Sequence, residues 1–292
     1  KTSETSVFTN SVYDNGVNDK RYEGKLTYAI TPKHTVKAAY TKKDRFESNN
    51  TFGDIMDRAS FYDSWGPENL LSANYTGVLS SKFFIEAQYS QRRYSIVGSG
   101  ARFTDIVKGT MIQDRSRGSA RWNSPTFCAV CGLSPEDIAA GKLNEEKRNN
   151  QNVILKGSYF LSTSGTGSHS LVFGVDGFED TRKNNNWQSG SEYRLLASNT
   201  IIRGENLYPV VIPGTSNTDA AATYILWTPI FVATQGSRLR TYSAFVNDAW
   251  TFNNKWSFNV GARFDRADEK DQAGNVVSKD QAWSPRLSAT FD

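Results

Sequence analysis

The residues of this sequence that are best suited to chemistry are its two cysteines. Cys128 and Cys131 stand in FCAVCGL, and their C-x2-C spacing is typical of half a zinc site, a thiol–disulfide redox centre or a local disulfide. Zinc requires four ligands, but the only histidines, His34 and His169, lie beside predicted turns far along the chain. A thioredoxin-like centre requires a βαβ context that the flanking sequence lacks. A disulfide within an exported loop is the favoured interpretation.

Two other segments imitate ligand-binding loops without meeting their requirements. Residues 265–275, DRADEKDQAGN, alternate carboxylates, but they lack the glycine and terminal glutamate spacing of a calcium loop. Residues 162–170, STSGTGSHS, have no G-x-x-x-x-G-K-[ST] spacing. We interpret the first as a solvated charged loop and the second as a flexible turn. With two histidines and neither G-x-S-x-G nor H-E-x-x-H, the sequence predicts no enzyme, no cofactor and no metal site.

The composition of the chain favours strands that are each half buried. Hydrophobic residues make up 38% of the sequence and aromatic residues 13%, a mixture that fits a helical enzyme poorly. The sequence contains no run of about 18 apolar residues, which a membrane-spanning helix would require. Membrane-spanning strands need no such run. The net charge of +4 is spread along the chain, whereas nucleic-acid binders usually gather basic residues on one face. No nucleic-acid partner is predicted.

Period-two alternation dominates the sequence. In KWSFNVGARF, residues 255–264, apolar side chains occupy every second position, which is the pattern of a strand with one apolar and one polar face. About nine segments of roughly ten residues repeat it, a length that suits a tilted membrane span of about 9–11 residues. The apolar faces of a soluble β-sandwich would give the same alternation.

The predicted connections alternate between short and long. In compact soluble domains, loops beyond about 12–15 residues are uncommon, whereas membrane barrels have short periplasmic turns and long extracellular loops. The sequence therefore predicts an all-β fold, part of an antiparallel transmembrane β-barrel in which residues 1–292 form one barrel portion. The short connections lie near 31–33, 80–81, 162–168 and 253–254, and the long ones at about 47–67, 96–149, 181–238 and 268–281.

This fold divides the candidate functional residues between two faces. Polar residues in mid-strand are expected to line the barrel lumen, and aromatic residues near strand ends are expected to anchor the barrel at the membrane interfaces. The lumen-facing candidates are Glu86, Lys156, Asp176, Arg263 and Arg286. The interface candidates are Tyr22, Tyr40, Phe83, Trp250, Phe252, Trp256 and Trp283.

The long loops contain three further local patterns. LSPEDIAAGKL (133–143) predicts a short helix with Ser134 as N-cap and Pro135 at its first position, ended by Gly141. YILWTPIFV (224–232) is apolar enough to be an extra strand, and we prefer this to a ligand contact. NNNWQSGSEYR (184–194) is a candidate for contacting a ligand outside the cell.

The segment YSAFVNDAWTFNNKWSFNVGARFD and the following WSPRLSATFD resemble the barrel of TonB-dependent outer-membrane receptors. The likeness rests on DxW at Asp248 and Trp250, GxRxD from Gly261 to Asp265, and SPR from Ser284 to Arg286. It is greatest to the Oar-like group, which carries a carboxypeptidase-regulatory-like domain before its plug. Such receptors resemble 22-stranded barrels, so about nine strands without a plug or TonB box indicate a fragment of a longer barrel.

The resemblance implies a receptor of the Gram-negative outer membrane that transports an unidentified extracellular substrate, inward or outward, using energy from the TonB complex. Its implied partners are TonB, reached through the absent plug, and outer-membrane lipid. Two alternatives stay open at this stage. One is a passive porin-type channel, and the other is a secreted soluble β-sandwich adhesin.

Overall fold

The computed structural model describes residues 2–5, 9–10, 12–50, 57–99, 105–124, 129–130, 133–184, 189–204, 206–213, 223–230, 236–253 and 255–291. Ten strands form one antiparallel sheet in the order β1-β2-β3-β4-β5-β8-β9-β14-β15-β16. The sheet is open, with β1 and β16 as its edges. These strands are β1 (Thr2–Thr5), β2 (Val12–Thr31), β3 (His34–Asn50), β4 (Tyr62–Ser80), β5 (Phe83–Gly98), β8 (Glu146–Thr163), β9 (Gly167–Lys183), β14 (Ser237–Thr251), β15 (Trp256–Lys270) and β16 (Val276–Phe291).

The remaining described strands lie within the long loops. They form a four-stranded sheet in the order β13-β10-β6-β7 and a separate hairpin of β11 and β12. A five-residue helix, α1 (Pro135–Ala139), begins after Ser134, whose side chain accepts a hydrogen bond from the Asp137 backbone N–H as predicted. The loop strands are β6 (Met111–Asp114), β7 (Ala120–Trp122), β10 (Tyr193–Ala197), β11 (Thr200–Arg203), β12 (Asn206–Pro209) and β13 (Ile225–Pro229).

Residue pairing gives the large sheet two chemically distinct faces. Directly opposed residues of antiparallel strands lie on the same face, and one row crosses five strands as Leu155, Val175, Ala244, Phe264 and Trp283. This side is termed the apolar face. The polar face carries the alternate residues of every long strand.

In the part of the chain that the structure describes, no second sheet covers the apolar face. Val153, Val175 and Val246 lie on central strands, yet 49%, 49% and 46% of each is exposed. A soluble sandwich would bury such residues between two sheets, so their exposure argues against the adhesin alternative. The buried hydrophobic cluster lies instead among the loop strands, where Ile112, Ala120 and Leu207 pack together. Among the described residues, the buried cluster therefore belongs to the loops and not to the sheet.

Two sequence predictions about the sheet were wrong in detail. The long strands contain 15 to 20 residues rather than about ten, because their pairing continues beyond the alternating segment. The connection predicted as a long loop at 268–281 is a tight turn between β15 and β16. There the Asp271 side chain accepts hydrogen bonds from the backbone N–H groups of Ala273 and Asn275 at 2.9 and 2.8 Å, and Gly274 adopts φ +85°.

The other connections follow the predicted alternation. Short turns join β2 to β3, β4 to β5, β8 to β9, and β14 to β15 at one end of the sheet. At the other end the chain between β5 and β8 and between β9 and β14 forms the loop sheets. The predicted extra strand within 224–232 is present as β13. None of the described helices is long and apolar enough to cross a membrane.

Candidate functional site: the polar face and the loop cap

The polar face carries its densest hydrogen-bonded cluster at Arg263 of β15. The Arg263 Nε donates to Asp265 Oδ1 at 2.8 Å, and its terminal nitrogen lies 3.1 Å from Asp176 Oδ2 on β9. Ser243 of β14 accepts from Arg263 at 2.7 Å and donates to Asp265 at 2.6 Å. One guanidinium therefore fixes two carboxylates and a hydroxyl across three neighbouring strands.

The aromatic ring of Phe245 lies beside this cluster. Phe245 of β14 lies opposite Gly174 and Arg263, and the guanidinium carbon sits 5.9 Å from its ring centroid. A Cβ on Gly174 would lie 2.9 Å from the Phe245 ring and 2.4 Å from the Leu155 carbonyl oxygen. Glycine is required at 174 because the ring occupies the space above the backbone.

The other lumen candidates lie on the same face. Glu86 and Lys156 oppose one another on β5 and β8 and form an ion pair. Arg286 of β16 lies opposite Gly261. All five lumen candidates from the sequence therefore share one face, and Asp176 and Arg263 are in direct contact. Sequence reasoning did not identify Ser243, whose hydroxyl joins two of the charged groups.

The seven aromatic candidates fall at two levels of the apolar face. Phe83, Trp250, Phe252 and Trp256 lie beside the short turns, where Trp250 packs against Phe252 and Phe258 with ring centroids 5.7 and 5.0 Å apart. At the other level, the Tyr40 hydroxyl donates to Asn69 at 2.8 Å, and Trp283 packs on Phe264 at 5.0 Å. Tyr22, the last of the seven, lies opposite Lys42, at the level where charged residues begin on this face.

A hydrogen-bonded polar pair, His169 and Asp248, interrupts the apolar face beside the short turns. His169 Nδ1 lies 2.7 Å from Asp248 Oδ2, and the imidazole stacks on Trp250 with ring centroids 5.3 Å apart. The Trp250 Nε1 donates to the Thr166 carbonyl oxygen at 2.6 Å. Asp248 and Trp250 of the DxW pattern thus hold the β8–β9 turn against β14.

Beyond the strands, the long connections pack into one structure that we term the loop cap (residues 105–124, 189–204, 206–213 and 223–230). In it β6 and β10 pair in parallel, and β13 pairs antiparallel with β10. Trp122, Leu195 and Ile202 pack against the buried cluster. The cap therefore joins the two longest loops, which are separated by a pair of barrel strands.

A buried carboxylate organises the cap. Asp114 is fully buried and accepts hydrogen bonds from the backbone N–H and hydroxyl of Ser116 at 2.8 and 2.6 Å. Arg117 and the Thr200 hydroxyl contact its other oxygen. Burial acts to raise the pKa of Asp114, but the hydrogen bonds from Ser116, Thr200 and Arg117 outweigh it and lower the pKa. The carboxylate is therefore held ionised and links β6 to β11.

A third loop is fixed to the cap through Asp57, which precedes β4. The Asn123 backbone N–H donates to both carboxylate oxygens of Asp57 at 3.0 and 3.1 Å. The Ser124 N–H donates to the Ser60 hydroxyl at 2.9 Å. These four residues are buried, so the contacts exclude water and make the loops after β3, β5 and β9 one surface.

The predicted disulfide of Cys128 and Cys131 lies outside the described residues, as do residues 185–188 of the candidate ligand-contacting segment. Within the part of the chain that the structure describes, no three His, Cys, Asp or Glu residues approach closely enough to hold a metal ion. The exposed cap residues include the aromatic pair Tyr193 and Trp227, whose ring centroids lie 5.5 Å apart. The two rings therefore form an exposed aromatic surface on the cap.

Comparison with known proteins gives a family and a fold. Residues 44–292 match the family model described as "TonB dependent receptor-like, beta-barrel". The chain is similar to FpvA of P. aeruginosa, solved with iron-bound pyoverdine, at 11% identity and a TM-score of 0.51, with 99% of this chain and 35% of that chain covered. No curated protein matches the chain.

Two further solved structures are similar at lower scores. BauA, the ferric preacinetobactin receptor of Acinetobacter baumannii, is 13% identical with a TM-score of 0.49, over 94% of this chain and 37% of that one. The outer-membrane transporter YddB of Escherichia coli is 12% identical with a TM-score of 0.47, over 98% and 32%. The chain thus spans about a third of the length of the solved structures it matches.

Proposed function

Because the chain belongs to the TonB-dependent receptor β-barrel family, we propose that it is part of an outer-membrane protein that transports a substrate with energy supplied through TonB. The observation that carries this proposal is the division of one continuous sheet into an apolar face without a covering layer and a polar face with fixed ion pairs. An apolar outer face suits lipid, and a charged inner face suits a plugged lumen.

In this proposal the polar face holds the plug. Hydrogen bonds to charged groups contribute about 1.5–3 kcal/mol when they are well formed, so fixed charges such as Arg263 and Asp265 can bind polar plug groups in a single orientation. Their mutual pairing on the barrel wall leaves no isolated charge when the plug moves. The plug can then be displaced without leaving an unpaired charge on this part of the wall.

The loop cap captures the substrate. Buried contacts at Asp57 and Asp114 fix three loops together, so the exposed Tyr193 and Trp227 are presented on an ordered surface. Ordering the loops before binding lowers the entropic cost of capture. We further propose that the protein is of the Oar-like type, which rests on the sequence resemblance.

Conductance of the full-length protein separates this proposal from a passive porin. The intact protein and a variant lacking the plug are inserted separately into planar lipid bilayers, and the current in KCl is recorded. We expect the intact protein to be closed and the plug-deleted barrel to conduct. An intact protein that conducts steadily without TonB would support the porin-type channel and overturn the energised mechanism.

Dependence on TonB is tested by binding. The purified full-length protein is titrated with the periplasmic domain of TonB, and the same titration is repeated with a variant whose TonB-box peptide is deleted. We expect saturable binding that the deletion abolishes. Failure of the intact protein to bind would refute the coupling to TonB.

A further inference from the structure

Three of the four short turns are built in the same way and each presents one lysine. The backbone N–H of Lys33 donates to Thr31 Oγ1 at 3.2 Å, that of Lys82 to Ser80 Oγ at 3.2 Å, and that of Lys255 to Asn253 Oδ1 at 2.9 Å. The sequences TPK, SSK and NNK are thus three versions of one side-chain-capped turn. This hydrogen bond fixes the position of the lysine backbone at the end of each hairpin.

An aromatic ring follows each of these lysines on the apolar face. His34 contacts the Tyr75 hydroxyl through Nδ1 at 2.7 Å, and Phe83 stacks on Phe173 with ring centroids 6.2 Å apart. Trp256 stacks on Phe258 at 5.9 Å with an interplanar angle of 2°. Trp256, and Tyr75 beside His34, are of the residue types enriched at the headgroup level of a bilayer, and Phe83 adds an apolar ring at the same end of the sheet. Each lysine therefore sits directly beyond the ring that marks the membrane boundary.

The four hairpin turns at this rim carry no carboxylate. The hairpin segments 28–37, 78–85, 158–170 and 249–258 contain no aspartate or glutamate. All three turn lysines are exposed, and among the described residues none of them forms an ion pair. The carboxylates that follow or precede these segments most closely are Glu86, which pairs with Lys156, and Asp248, which contacts His169. The lysines are consequently available to an external anion.

The spacing of the turns suits separate small anions better than one compact ligand. Strands of a sheet lie about 4.8 Å apart, so neighbouring hairpins present their turns roughly 10 Å apart. Lys33 and Lys82 belong to neighbouring hairpins, and the β8–β9 hairpin separates Lys82 from Lys255. A row of cations along a membrane boundary complements the phosphates of a lipid leaflet.

We infer that the short-turn rim of this barrel binds the phosphate headgroups of anionic phospholipids in the periplasmic leaflet through Lys33, Lys82 and Lys255. The lysine stems cover apolar surface while the ammonium groups reach the phosphates. His34, Phe83 and Trp256 fill the level just below the headgroups. The interaction holds the barrel at a fixed depth, and it requires only that the chain spans the outer membrane, not that it transports by the proposed mechanism.

Lipid selectivity of the full-length protein tests this inference. The protein is reconstituted in phosphatidylcholine bilayers, and electron paramagnetic resonance measures the association of spin-labelled phosphatidylglycerol relative to spin-labelled phosphatidylcholine. The variants are K33Q/K82Q/K255Q, the charge-retaining K33R/K82R/K255R, and a control that removes three exposed lysines at the opposite end, K142Q/K183Q/K279Q. Heat-dependent mobility on gels confirms that each variant is folded.

We expect the wild type to prefer phosphatidylglycerol, by about fivefold at a turn site if each lysine contributes as a surface lysine does near anionic lipid. K33Q/K82Q/K255Q should lower the ratio to about one, whereas the arginine variant and the opposite-end control should retain it. A wild type without preference would overturn the inference. So would a preference that survives K33Q/K82Q/K255Q, or one that is lost in the opposite-end control.

Discussion

At the scale of the residue, charged side chains in this protein are placed where a partner fixes them. Arg263 joins Asp176, Asp265 and Ser243 on the polar face, and Asp114 is enclosed by donors in the loop cap. The sequence predicted that Arg263 and Asp176 share a face, because period-two alternation assigns faces within each strand. It could not predict their contact, because the register between β9 and β15 depends on β14 between them.

Replacing Arg263 by leucine tests the polar-face cluster. The substitution leaves Asp176 and Asp265 without their shared cation, and we expect a loss of about 1–2 kcal/mol in the free energy of unfolding because the cluster is partly exposed. The temperature at which the detergent-solubilised full-length protein loses its compact gel mobility measures this. Lys37→Leu is the matched control, since Lys37 is exposed on the same face and forms no ion pair among the described residues. Equal shifts for the two variants would contradict the cluster's role.

The loop cap should lose stability in acid because of Asp114. The pKa of Asp114 is lowered from 3.8 in the folded protein, so its contribution is present above pH 3.8 and is lost as the pH falls through the lower folded value. We expect the hydrogen-exchange protection factors of residues 189–204, taken relative to the unfolded chain at the same pH, to fall below about pH 4. Asp114→Asn should lower these protection factors already at pH 7, by an amount equivalent to about 1–3 kcal/mol. Asp137→Asn, in an exposed position of the helix, is the control and should leave exchange in 189–204 unchanged.

At the scale of the element, a strand could be predicted from alternation only where its two faces differ in polarity. In β15 the segment 256–264 alternates, but Arg266, Asp268 and Lys270 place charged side chains on the apolar face as well, so the pattern disappears while the backbone pairing continues. The loop cap was hidden for another reason. Its strands have three to five residues, too few to show a period, and β6 pairs with β10 across about 80 residues of sequence.

Gly174 and Gly24 both lie on long strands, but the space around them differs, so alanine should have different effects at the two positions. At Gly174 a Cβ would meet the Leu155 carbonyl oxygen and the Phe245 ring, whereas at Gly24 nothing lies within 4 Å. We expect Gly174→Ala to destabilise the barrel by about 1–3 kcal/mol, because the Cβ would collide with the Leu155 carbonyl oxygen, which as a backbone atom cannot turn aside, and with the Phe245 ring. Gly24→Ala should be neutral or slightly stabilising. The thermal midpoint of gel mobility is measured for both variants, and a neutral Gly174→Ala would contradict the steric requirement for glycine at position 174.

At the scale of the whole molecule, the hydrophobic effect acts on this chain through two separate environments. The cap buries Ile112, Ala120 and Leu207 from water, as a small soluble domain does. On its central strands the sheet leaves apolar side chains such as Val153, Val175 and Tyr242 exposed by 49%, 49% and 51%, which is favourable against lipid. The fold class could be predicted from the alternation and the loop lengths, because both depend on whether a segment faces lipid or water. The cap could not be predicted, because it depends on pairing between strands that are far apart in the sequence.

The same division predicts how residues 1–292 behave when they are produced alone. In water the apolar face and the open edges at β1 and β16 should drive association, since exposed strands and large apolar patches promote aggregation. Sedimentation velocity in plain buffer should show large particles, and added detergent should reduce them by covering the apolar face. As a control, Val153, Val175 and Val246 are replaced together by threonine, which lowers the apolarity of the face while keeping β-branched side chains. These substitutions should raise the fraction of protein that sediments as small particles without detergent. A wild-type chain that sediments as a folded monomer in buffer would contradict the assignment of this face to lipid.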